Sequence, residues 1–122
     1  MILQCKKKIF LVGTNPSDIL DCTIHAIETI QNSDSIIISK EFNKKYLKNI
    51  NNKNIYFQED LAKKNDINLW YEILEIFKSR NTIAQLFNGD PDIDCRGAEQ
   101  QEFFKKNNIE CIIISGVIKV VN

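Results

Sequence analysis

Glycine, proline, arginine and histidine are scarce in this 122-residue chain, with four, two, two and one copies respectively. The only loop that opens like a dinucleotide fingerprint, G-T-N-P-S-D from Gly13, lacks the second and third glycines. No G-K-[ST] phosphate loop occurs, so a classical NAD or ATP site is not expected. With His25 alone, and with Cys5, Cys22, Cys95 and Cys111 too far apart for a C-x-x-C pair, spacing builds no zinc constellation. No metal is expected; the cysteines read as reduced and structural, and His25 as a surface or rim residue. Net charge is absent too, 16 basic side chains balancing 16 acidic ones, which excludes a nucleic-acid reader working by bulk charge. No apolar run approaches the ~18 residues of a membrane span. The start, MILQCKKKIF, sets its lysines behind a short apolar stub, unlike a secretory leader. A cytoplasmic protein is expected, with no membrane and no nucleic-acid partner.

What is present is an ordinary globular balance, 43% hydrophobic and 26% charged, in a chain of single-domain length. "KKIFLVG", "SIIIS", "NIYFQ", "TIAQLF" and "ECIIIS" are short apolar runs of the kind that buried strands show. Between them lie helical stretches. From Ile19 the apolar residues fall at 19, 20, 23/24, 27 and 30, behind a turn in which Ser17 or Asp18 can cap. "EFNKKYLKNI" reads as a short charged helix or turn. Residues 68–77 put Leu69, Ile73, Ile76 and Phe77 on one face, and "GAEQQEFFKKNN" carries acids early and lysines late, as the helix dipole favours. Strands alternating with helices predict an α/β fold, an open and mostly parallel sheet of about five strands with helices on both faces.

Ligands of such sheets sit outside the carboxyl ends of the strands. Gly13, Gly89 and Gly116 each fall at a predicted strand end, which draws attention to "LFNGDPDIDCRGAEQ", residues 86–100. Asn-Gly and Asp-Pro are turn formers, so a plain strand-to-helix turn accounts for this stretch. A ligand loop accounts for it as well. Gly89 lets the main chain approach a ligand, Asp90 supplies an acceptor, and the Arg96 guanidinium suits carboxylates as lysine does not. Glu99 is electrostatically favourable at the start of the next helix under either reading.

Together "KIFLVGTNPSD", "SDSIIIS", "LFNGDPDIDCRGAEQQEFF" and "IISGV" resemble the N-terminal half of the tetrapyrrole methylases, over roughly residues 8–118. The branch most resembled is that of the uroporphyrinogen-III C-methyltransferases of siroheme and cobalamin synthesis, and G-D-P followed by R-G-x-E is its most specific part. The resemblance implies S-adenosylmethionine as methyl donor, bound in a cleft between two α/β domains. Gly13, Pro16 and Asp18 match the first glycine-rich loop, with Asp18 implied as the catalytic residue. Asn88, Gly89, Asp90 and Pro91, with Ile93 beyond them, match the donor-lining G-G-D-P loop. Arg96 and Glu99 match R-G-G-E and are implied in substrate binding, while Ser115, Gly116 and Val117 match P-G-V, with Ile118 in the donor-contacting stretch that follows it. Asn15 and Ser17 stand where the family has glycines, Phe87 where it is usually basic, and Ser39 where it is usually aspartate.

The resemblance therefore implies a tetrapyrrole C-methyltransferase, or its N-terminal domain, with a tetrapyrrole precursor as partner. The sequence ends near where the family's second domain would begin, and that domain is expected to be absent. The alternative is a non-catalytic subunit or scaffold that forms a homodimer or pairs with a separate chain bearing the second domain.

Overall fold

The computed structural model describes residues 7–14, 23–41, 54–62, 66–88 and 97–114. The elements in order are β1 (Lys8–Thr14), α1 (Ile24–Asn32), β2 (Ser35–Ile38), β3 (Asn54–Phe57), α2 (Gln58–Ala62), α3 (Asp66–Ile76), β4 (Thr82–Asn88), α4 (Gly97–Lys106) and β5 (Glu110–Ile114). The five strands form one sheet in the order β3-β2-β4-β1-β5, and every neighbouring pair is parallel. The expected α/β architecture is what the chain adopts.

The strand order decides where the helices go. The chain steps one way along the sheet from β1 through β2 to β3, then back the other way through β4 to β5. Right-handed crossovers put the helices of those two journeys on opposite faces. The packing agrees. Ala26 and Ile30 of α1 pack with Val12, Ile36, Ile38, Ala84, Leu86 and Ile114 on one face. Leu69, Trp70 and Ile73 of α3 and Phe104 of α4 pack with Ile9, Leu11, Ile37, Ile83 and Phe87 on the other. A sheet covered on both sides has no solvent face, which is why β2 is an unbroken Ser-Ile-Ile-Ile run buried throughout.

Three local devices fix the helix ends. Thr23, in extended conformation, caps α1 by accepting from the Ala26 amide at 3.2 Å. The Lys7 ammonium donates to the carbonyls of Phe77 and Arg80 just past α3, where the dipole favours a cation. At the end of α4, Asn108 takes φ 61. The Ile109 amide reaches back to the Phe104 carbonyl at 2.9 Å and the Asn108 amide to the Lys105 carbonyl at 3.2 Å. This is a Schellman ending, with the Ile109–Phe104 contact that usually accompanies it.

Two expectations need correcting. Gln58 begins α2 and does not extend β3. On α1 the buried residues are Ala26, Thr29 and Ile30, while Ile24 is 75% exposed, because the helix is phased from its Thr23 cap. The helix start expected at Ile19, its Ser17 or Asp18 cap and, beyond Glu41, the helix or turn expected over residues 41–50 lie outside the described residues.

Candidate functional site

β1 and β4 lie side by side, and their register pairs Gly13 with Phe87 and Thr14 with Asn88. The two stretches singled out in the sequence thus leave the sheet from adjacent strand ends. After β1 the chain goes to α1 on one face; after β4 it goes to α4 on the other. Adjacent strands whose connections depart to opposite faces leave a crevice at their carboxyl ends, the usual ligand position in an open α/β sheet.

Thr14 ties the crevice floor together. Its side chain is fully buried, and its hydroxyl donates to the Phe87 carbonyl at 2.8 Å. Gly13 lies inside β1, one residue before the strand end, and is buried. By strand alternation it faces the same side as Leu11, level with Phe87. A side chain there would stand beside Phe87, where glycine places only hydrogen. On the far side of the crevice α4 begins at Gly97, which is buried; Glu99 is exposed in the first turn, and Gln100 is again buried. Asn88 contributes the end of β4. Pro16, Asp18, Gly89, Asp90, Pro91, Ile93, Arg96, Val117 and Ile118 lie outside the described residues.

One group at this edge was not foreseen. Just past β2, the Ser39 hydroxyl donates to Glu59 Oε2 at 2.7 Å, and the Lys40 amide donates to both Glu59 oxygens at 2.9 and 3.2 Å. Lys40 Nζ meets Asp60 Oδ1 at 2.9 Å, an exposed pair that contributes little to stability. Slight desolvation works against charge on the exposed Glu59, but the hydrogen bonds from Ser39 and Lys40 and the Lys40 charge outweigh it and hold its carboxyl below the usual range. A carboxylate therefore stands beside Ser39, supplied from α2 on the neighbouring strand's connection. Its sequence signal was the acidic start of "QEDLA", too short to show a helical period.

A group with a lowered folded pKa adds stability that is present above its unfolded value and is lost as pH falls through the folded one. Glu59→Gln is therefore expected to be less stable than the parent at pH 7. In urea titrations across pH the gap should begin to close as the pH drops below 4.5, the ordinary value, and vanish in stronger acid. A gap independent of pH would contradict the stabilisation of a charged Glu59 by Ser39 and Lys40.

Among the described residues no group of three or more His, Cys, Asp or Glu side chains could hold a metal. Nor is any helix among them long and apolar enough to cross a membrane. A groove of about 660 Å³ runs beside α4 and β5, lined by Lys7, Gln101, Glu102, Lys105 and Cys111, away from the β1–β4 crevice. Burial pushes the Cys111 thiol up to about 12 from 9.0. At pH 8 its thiolate fraction should be about 1000-fold below that of an ordinary cysteine, so peptide mapping after brief alkylation is expected to find Cys111 unmodified.

An all-parallel α/β domain with a crevice at the ends of two oppositely connected strands is the class that fold and site define. The chain belongs to the tetrapyrrole (corrin/porphyrin) methylases, whose family model matches residues 8–119. Among solved structures it is similar to the native form of uroporphyrin III C-methyltransferase from Thermus thermophilus, with TM-score 0.75 and 19% identity over 90% of this chain and 48% of that one. The same enzyme complexed with S-adenyl homocysteine gives TM-score 0.72 and 19% identity over 90% of this chain and 45% of that one. The cobalamin biosynthetic enzyme cobalt precorrin-4 methyltransferase, CbiF, gives 0.73 and 14% over 90% and 46%. No curated protein matches the sequence significantly. The chain spans about half the length of the solved structures it resembles.

Proposed function

We propose that this chain is the donor-binding domain of an S-adenosylmethionine-dependent C-methyltransferase acting on a uroporphyrinogen-III-like tetrapyrrole in the cytoplasm. The observation that carries the reading is the pairing of Gly13 with Phe87 and Thr14 with Asn88, which starts both family loops from one crevice. The missing side chain at Gly13, beside the buried Thr14–Phe87 tie, suits a ligand that approaches main chain at the strand ends. When bound, the donor supplies an electrophilic methyl group on its sulfonium.

The chain's own residues then position and exclude water, the main requirements of a transfer that needs no strong base. Gly13 and Thr14 form the floor. Gly89 and Asp90 hold the donor through main chain and carboxylate, with Pro16, Pro91, Ile93, Val117 and Ile118 as its apolar walls. Asp18 orients the acceptor and takes up the proton released when the ring carbon is alkylated. Arg96 meets the acceptor's carboxylates, for which a guanidinium fork is suited, and Glu99 completes the R-G-x-E pattern three positions on. A complete cleft would need a second α/β domain beside this one; the alternative reading is a non-catalytic subunit or scaffold that forms a homodimer or pairs with a chain bearing that domain.

Calorimetric titration with S-adenosylmethionine and S-adenosylhomocysteine tests the reading, with Asp90→Ala as control. Saturable binding by the parent, lost in the variant, is expected. No heat from a folded sample at millimolar ligand would overturn it.

A further inference from the structure

β4 and α4 are joined in the middle of the second apolar layer by two amides. Gln100 Nε2 donates to Gln85 Oε1 at 2.6 Å, across a sequence separation of 15 residues. Both side chains are enclosed, with Gln85 at 1% and Gln100 at 2% exposure. Around them lie Leu11 and Ile37, register partners of Gln85 on β1 and β2, and Phe104, one turn further along α4. Apolar side chains would fill that space at no polar cost. Amides there are tolerated only while they meet, because a lone buried amide loses its water without replacement.

That condition has a geometric consequence. Apolar contacts survive a small slide or rotation of a helix over a sheet, whereas a 2.6 Å hydrogen bond does not. Gln85 is two residues before Phe87, whose carbonyl receives the Thr14 hydroxyl, and Gln100 is three residues after Gly97. The pair therefore fixes the start of α4 against the end of β4, the two borders of the proposed donor crevice. We propose that Gln85 and Gln100 are positioning residues for the methyl donor, holding α4 in the one placement that binds it. This rests on the donor reading above.

The test separates placement from stability. In the double variant Gln85→Met/Gln100→Met both amides are replaced by unbranched apolar groups of similar length, which removes the bond without stranding a partner. Its melting temperature is expected to equal or exceed the parent's. Its affinity for S-adenosylhomocysteine is expected to fall about tenfold or more, as misplaced binding groups imply. Amide exchange in residues 101–104, whose N–H groups bond within α4, is expected to speed up about tenfold with the sheet unchanged. The single variant Gln85→Met, which strands Gln100, is expected to melt lower than both.

Parent-like affinity and exchange in a folded double variant would overturn the inference while leaving the donor reading intact. A parent that binds no S-adenosylhomocysteine would overturn the donor reading and, with it, the functional part of the inference; the exchange data would still decide whether the pair places α4.

Discussion

Phe104→Ala is expected to remove about 3–5 kcal/mol of folding stability, which can exceed half of the roughly 5–15 kcal/mol that a domain of this size possesses. The ring is completely enclosed between α4 and the sheet. It meets Phe77 edge-on at 6.4 Å between centroids, and Phe103 at 5.2 Å and 83°. Truncation would empty the space where α3, α4 and the sheet converge, and the backbone there has little freedom to close it. The Phe104 carbonyl accepts both the Asn107 and the Ile109 amides, so the residue is also tied into the helix ending. Urea denaturation followed by the fluorescence of Trp70, whose ring meets that of Phe103 at 5.3 Å between centroids and a 38° tilt, reads the loss directly. A variant with a midpoint close to the parent's would mean that α4 is not packed as described.

The second large effect concerns binding. Gly13→Val is expected to weaken S-adenosylhomocysteine binding at least about 100-fold, or roughly 2.7 kcal/mol. Valine suits a strand, so the fold should survive with a loss of about 1–3 kcal/mol from overpacking. What it cannot do is let a ligand approach the main chain beside Phe87, because its methyl groups would stand where strand alternation now places only hydrogen. Parallel calorimetry and thermal melts separate the two contributions. A folded Gly13→Val protein that bound the donor product as the parent does would remove Gly13 from the site.

Much of the fold was legible because its strands are buried on both faces and therefore read as unbroken apolar runs, Ser-Ile-Ile-Ile of β2 being the clearest. α3 was equally plain, since Leu69, Ile73 and Phe77 recur at helical spacing and all three are buried. The start of α1 was not. Ile24 fits the apolar period but is exposed, because the Thr23 cap sets the helix phase and a hydrophobic count does not register caps.

α2 spans five residues, fewer than two turns, and leaves no period to find. Strand order is silent in any one-dimensional pattern, so the adjacency of Gly13 and Phe87 became visible only in the folded chain, although both loops had been marked by their glycines. Ser39 with Glu59, and Gln85 with Gln100, were invisible for the same reason. Each is an ordinary polar residue until the fold supplies its partner.

The central claim, that the methyl donor binds at the carboxyl ends of β1 and β4, is tested most directly by amide chemical-shift mapping of the labelled protein during titration with S-adenosylhomocysteine. Saturable shifts are predicted for Gly13, Thr14, Phe87, Asn88 and Gly97, with Lys8, Thr82 and Glu110 at the opposite ends of the strands unmoved. Shifts gathered instead along the groove at Lys7, Gln101 and Cys111 would contradict the claim.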